Sequence, residues 1–166
     1  YIKLSSHARF SELDLQVLEV HEGWVHVGTT LNGRQQSYAT WLGAGSPRIT
    51  ACQEGLAVLI ETLTFSSFPD RAKRISDRVM AIDMAERGAD FIEVFRHFVA
   101  KGASEHDAYK ITQRVFRGGM VEGGACFTKD LSYVRGSVET VNFIRSAVLE
   151  GVPEILPMLF VGKVTL

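Results

Sequence analysis

Cysteine is nearly absent from this 166-residue chain, which has only Cys52 and Cys126. Two cysteines make no disulfide framework, and they lack the Cys-x-x-Cys spacing of redox and zinc-ribbon motifs. This usage fits a reducing cytoplasm. No apolar run approaches the roughly 18 residues of a transmembrane helix. Neither sign of charge dominates: Lys plus Arg is 18, Asp plus Glu is 19, and the net charge is -1. That balance excludes a polybasic surface for nucleic acid or membrane. Basic and aromatic residues do not interleave as they do in RNA-binding surfaces. Internal repeats, low-complexity stretches, long linkers and a signal-peptide pattern are all missing. What remains is ordinary globular composition, 46% hydrophobic and 22% charged. A chain this long buries about 70% of its unfolded surface without help from a disulfide. The expectation is one domain over residues 1–166. It starts at Tyr1 instead of Met, so it is read as part of a longer chain that lacks its N-terminal region.

Helix signals dominate the pattern, so the fold class is mainly α, with a short strand at Tyr1–Leu4 as its one β feature. Ser11 and Asp14 form a capping-box pattern before a helix running to about His26, with Gly28 as its stop and Leu31-Asn32-Gly33 as turn material. Thr50 and Gln53 give a second capping-box pattern, opening a helix through Leu63. Pro69 suits a first helical turn. Three further helices follow, capped by Asp90, Ser104 and Thr128 and ended by Gly102, Gly118 and Gly151. Pro153 opens a last short helix.

The densest chemistry lies in His21-Glu22-Gly23-Trp24-Val25-His26. In the shorter H-E-x-x-H pattern, i and i+4 share a helical face, so two imidazoles bind one zinc ion and the glutamate serves as base. Here the spacing is i, i+5, which on a regular helix turns the rings about 140° apart. Convergence requires a π-bulge or a helix loosened at Gly23. On spacing alone, two unrelated histidines on a polar face are an equal reading. Zinc needs a third protein ligand. Glu54, in the first turn of the next helix, is a candidate, although a helix-start acid favoured by the dipole is the plainer reading. Glu61 lies seven residues on, on the same face, where it can orient a ligand histidine from behind; a surface or salt-bridging acid is the plainer alternative. Gly55 and Ala57 allow close helix approach.

Between two later helices lie Arg117-Gly118-Gly119 and Gly123-Gly124-Ala125-Cys126-Phe127-Thr128-Lys129-Asp130. Arg117, Lys129 and Tyr133 are donors for a substrate carboxylate. The spacing itself favours a tight interhelical turn, and the order of residues is not that of a P-loop.

Gln53-Glu54-Gly55-Leu56-Ala57 resembles the QEGLA motif of bacterial flavohemoglobin expression-modulating proteins, long a domain of unknown function. His21–Gly33, Arg117–Gly119, Gly123–Asp130 and Leu159–Lys163 (LFVGK) resemble the same family in the same order. That family is similar to eukaryotic microtubule-associated tyrosine carboxypeptidases, zinc enzymes with an H-E-x-x-x-H motif and a downstream glutamate ligand. The resemblance implies a multi-helix metallopeptidase-like domain in which His21, His26 and Glu54 bind Zn²⁺ and Glu22 is the general base. It implies a zinc-dependent, carboxypeptidase-like hydrolase acting on a peptide or protein C-terminus. Two alternatives stand beside it: a regulatory or binding protein that keeps the fold without efficient hydrolysis, and a metal-dependent amidohydrolase on a non-peptide amide.

Overall fold

The computed structural model describes residues 2–166. Among them the chain is mainly α and contains no strand. The strand expected at Tyr1–Leu4 does not form over Ile2–Leu4, and Tyr1 lies outside the described residues. A strand needs a neighbour to complete its hydrogen bonds, and the described residues offer none. The chain forms two compact units: residues 1–68 with 132–166, and residues 69–131.

In the first unit, a continuous helical run starts with α1 (Glu12–Leu18), passes through a π-helical segment (Glu19–Val27) and ends with α2 (Gly28–Arg34). The Ser11–Asp14 capping box opens it as expected. The expected stop at Gly28 is overturned, since Gly28 has φ -56 and the helix continues. Leu31-Asn32-Gly33 is likewise helix, not turn. Gly33 is glycine for another reason: a Cβ there would overlap the backbone of Leu42. The glycine permits a close packing contact and does not break the helix.

Next come 3₁₀ turns at Thr40–Gly43 and Pro47–Ile49, then α3 (Thr50–Leu63). The expected Thr50–Gln53 capping box does not form. The 3₁₀ turn runs directly into α3, Ile49 takes the cap position, and the Thr50 hydroxyl donates to the Ser46 carbonyl at 3.4 Å. After the second unit, the chain returns through a helix at Leu131–Leu149 and ends with a 3₁₀ stretch at Pro153–Phe160.

Val25, Leu56, Ala57 and Leu159 form the buried core of the first unit, with Ile60, Phe143, Ile144 and Phe160 packed around it. Burying a side chain such as Leu56 contributes roughly 1.5–3 kcal/mol. This offsets part of the desolvation cost of the polar groups that α3 buries nearby. Trp24, inside the His21–His26 motif, is 52% exposed.

The second unit contains α4 (Pro69–Glu86), α5 (Phe91–Ala100) and α6 (Glu105–Val115). Here the local signals hold. Asp90 and Glu93 form a reciprocal capping box at 2.8 and 3.0 Å, and the Ser104 hydroxyl accepts from the Asp107 N–H at 3.1 Å. Gly88, Gly102 and Gly118 follow their helices with φ of +98, +87 and +73, a region that costs other residues strain. Ile82, Val94, Phe98 and Val115 are core. Asp130 is buried and receives Arg114 through two hydrogen bonds, with Arg78 at 3.6 Å. A buried carboxylate needs such pairing.

The last helix, α7, spans Leu131–Leu149. It starts two residues later than the Thr128 cap implied. The Leu131 N–H donates to the Thr128 carbonyl at 3.0 Å, which forms a turn before the helix.

Candidate active site

The π-helical segment supplies the correction that the i, i+5 spacing demands. A π turn closes i to i+5 hydrogen bonds, so residues five apart stack one above the other. One such bond runs from the Gly28 N–H to the Gly23 carbonyl. The His21 and His26 rings meet edge to face, with centroids 4.9 Å apart and planes at 82°. A Cβ on Gly23 would meet nothing within 4 Å. Glycine is therefore not a steric requirement there.

Helix α3 faces this pair with a row of buried polar side chains: Gln53, Glu54 and Glu61. Its close seating depends on Gly55, where a Cβ would overlap the backbone of Gly136 on α7. Glu54 Oε2 lies 3.3 Å from His21 Nε2 and 3.6 Å from His26 Nε2. Glu61, with no exposed surface, accepts a hydrogen bond from His21 Nδ1 at 2.5 Å. Its own position is held by the turn after α3, where the Ser66 and Ser67 N–H groups donate to the Glu61 carbonyl. Both ring nitrogens of His21 face a carboxylate, Nδ1 toward Glu61 and Nε2 toward Glu54, and a carboxylate accepts only.

Two imidazole nitrogens and a carboxylate oxygen thus converge at close range. An imidazole nitrogen and a carboxylate oxygen meet in a buried site when a proton or a metal ion lies between them. Tetrahedral zinc with bonds of about 2.0–2.2 Å has ligand atoms about 3.3–3.6 Å apart. The two separations from Glu54 Oε2 suit that spacing, while the three side chains whose ligand atoms all lie within 4.8 Å of one another are His21, Glu22 and His26. The two carboxylates differ in setting. Glu54 is 7% exposed and lies against both Nε2 atoms. Glu22 is half-buried and lines an open cavity of about 470 Å³ with His26 and Lys163.

The proposed carboxylate donors fall in different places. Tyr133 is half-buried in the first unit, its ring centroid 6.3 Å from that of His21. Arg117 and Lys129 belong to the second unit. There Arg117 stacks over the Phe127 ring at 4.3 Å and Lys129 is exposed.

Gln53 and Lys163 join this neighbourhood although no spacing pattern assigns them to a site. Gln53 Oε1 accepts from Thr29 Oγ1 at 3.0 Å and, at 3.4 Å each, from His26 Nδ1 and Lys163 Nζ. Its Nε2 is buried without a hydrogen bond. Both residues lay in stretches already singled out: Gln53 opens the QEGLA motif and Lys163 closes LFVGK. Spacing could not join them, because 110 residues separate the two.

Comparison with curated proteins and with solved structures gives no match. The family comparison does give one, and it spans the whole sequence: across residues 1–166 the chain belongs to the microtubule-associated tyrosine carboxypeptidase family.

Proposed function

We propose that the chain is a zinc-dependent carboxypeptidase. The observation that carries this reading is the approach of His21 Nε2 and His26 Nε2 to Glu54 Oε2 beside a cavity lined by Glu22, which itself comes within 4.8 Å of both histidines. Family membership supports carboxypeptidase chemistry. His21, His26 and Glu54 would hold Zn²⁺, which when bound supplies Lewis acidity and lowers the pKa of water. Glu22 accepts a proton on its carboxylate from the attacking water and delivers it to the departing amine nitrogen. Glu61 keeps the His21 proton on Nδ1 and fixes the ring, which leaves Nε2 as the donor atom. Gln53 Oε1 does the same for His26 through the longer 3.4 Å contact.

The substrate class is a peptide or protein C-terminus. Peptides ending in tyrosine come first, following the family's name. Both cysteines are free thiols, which suits a reducing compartment such as the cytoplasm. Among the described residues, no helix is long and apolar enough to cross a membrane.

The test is metal content and cleavage together. Zinc is measured in the wild type, His21→Ala and Glu54→Ala after zinc reloading and desalting. Short peptides varied at the C-terminus are then assayed by mass spectrometry, with Glu22→Gln as control. One zinc per chain, lost in both ligand variants, with release of the last residue by the wild type alone, is the expected result. Failure to retain zinc would sink the reading. Zinc without cleavage of any peptide would favour the non-hydrolytic binding protein.

A further inference from the structure

The end of the LFVGK stretch is fixed by backbone contacts. The Lys163 N–H donates to the Leu42 carbonyl at 2.7 Å. A Cβ on Gly162 would overlap Leu42, and it would lie 3.2 Å from the Cα of Gly33. These approaches set the direction in which Lys163 leaves the chain. Its side chain is half-buried and lines the same cavity as Glu22, His26 and Thr30.

Lys163 donates to a neutral amide oxygen, Gln53 Oε1, and forms no ion pair with a carboxylate among the described residues. Burial pushes its ammonium below the ordinary lysine pKa, while the Glu54 and Glu22 carboxylates act in the opposite direction. A partly desolvated cation of this kind gains most from an anion brought to it. The other cation lining the cavity, Lys3, is exposed, and water screens its charge.

We propose that Lys163 binds the α-carboxylate at the substrate's C-terminus and so confines cleavage to the last peptide bond. The inference rests on the carboxypeptidase reading above. In a peptide, the last scissile carbonyl lies one residue from that carboxylate. An anchor in the same cavity as the base Glu22 selects that bond over internal ones. Arg117 and Lys129, the donors suggested by the glycine-rich stretch, are not needed for this role.

The test separates binding from chemistry. Zinc-loaded Glu22→Gln protein, which binds without cleaving, is titrated with a short peptide ending in Tyr, as the free acid and as the C-terminal amide. The amide should bind about tenfold more weakly or worse, the range of a charge-assisted hydrogen bond. Adding Lys163→Met should make the two peptides bind alike, and Lys163→Arg should restore part of the preference. In the active protein, Lys163→Met should raise KM for the free acid about 10–100-fold with kcat changing far less. Circular dichroism confirms that each variant is folded.

Equal binding of acid and amide to the protein with Lys163 intact would overturn the inference. A Lys163→Met protein with lower kcat and unchanged KM would overturn it too, since that pattern marks an interaction made only in the transition state. If the wild type cleaves and the acid-over-amide preference survives in Lys163→Met, this inference alone falls. If the zinc-loaded protein neither binds nor cleaves either peptide, the carboxypeptidase reading falls with it.

Discussion

The two units use the same residue types for different ends. In the second unit, three glycines sit where helices stop: Gly88, Gly102 and Gly118 all have positive φ, while Gly119 and Gly123 lie against backbone that leaves no room for a Cβ. Asp90 and Ser104 cap the helices that follow them. In the first unit, Gly28 and Gly33 lie within helix, and Gly55 and Gly136 mark a helix crossing with no room for side chains. Thr50 caps nothing, and a nine-residue π segment interrupts the regular helix. At Asp90, Ser104 and the three stop glycines the second unit follows local rules. The first departs from them where it brings imidazoles and carboxylates together, and departures of this kind concentrate at functional sites.

Substitutions should separate the two regimes. The largest effect is expected at Glu22. Glu22→Gln should lower kcat about 10²–10⁴-fold, the range of general acid–base catalysis, while the denaturation midpoint stays near that of the wild type. Wild-type turnover in that variant would remove the distinction between site and scaffold. Next comes Glu61→Gln, which keeps an acceptor but removes the charge behind His21. Zinc affinity, measured by competition with a chromogenic chelator, should fall about 10–100-fold.

Smaller and purely structural is a pair of glycine substitutions. Gly55→Ala forces a Cβ into the Gly136 backbone and should cost about 1–3 kcal/mol or more in urea unfolding. Gly102→Ala has open space around it and meets only the positive-φ penalty, about 1–2 kcal/mol. Gly55→Ala should also cost activity, because Glu54 lies beside it. Equal stability losses with equal activity would erase the difference between a packing glycine and a stop glycine.

The smallest effect concerns pH. The folded state holds the Lys163 proton less tightly than the unfolded chain does. Lys163 therefore lowers stability at pH values below its folded pKa. That deficit fades as pH rises through the folded pKa toward the unfolded value of 10.5. Lys163→Met should unfold at slightly higher urea than the wild type near neutral pH, and the gap should narrow toward pH 10.5. A gap of constant size across that range would mean that the gain comes from apolar packing and not from relief of a buried charge.

The legible part of the site followed from short-range pattern. His21, Glu22 and His26 sit within six residues, and Glu54 with Glu61 are spaced for one face of one helix. The i, i+5 spacing even required the π distortion that α1 runs into. Gly28 and Gly33 lie within helix and Thr50 does not cap one; a glycine or threonine near an apparent helix boundary carries the same local signal whether it ends the helix, caps it or packs against a distant backbone. Gln53 and Lys163 could not be joined by periodicity, because their 3.4 Å contact links positions 110 residues apart.

Sequence alone determined the helical class, the capped helices of the second unit and the family. Each of these depends on residues within a turn or two of one another, or on motifs in linear order. Tertiary structure decided which glycines stop helices and which let them cross. It also decided that Glu61 meets His21 Nδ1, and that Lys163 shares a cavity with Glu22. Those outcomes depend on which distant backbones touch, which is set by how the apolar faces pack and not by any local propensity.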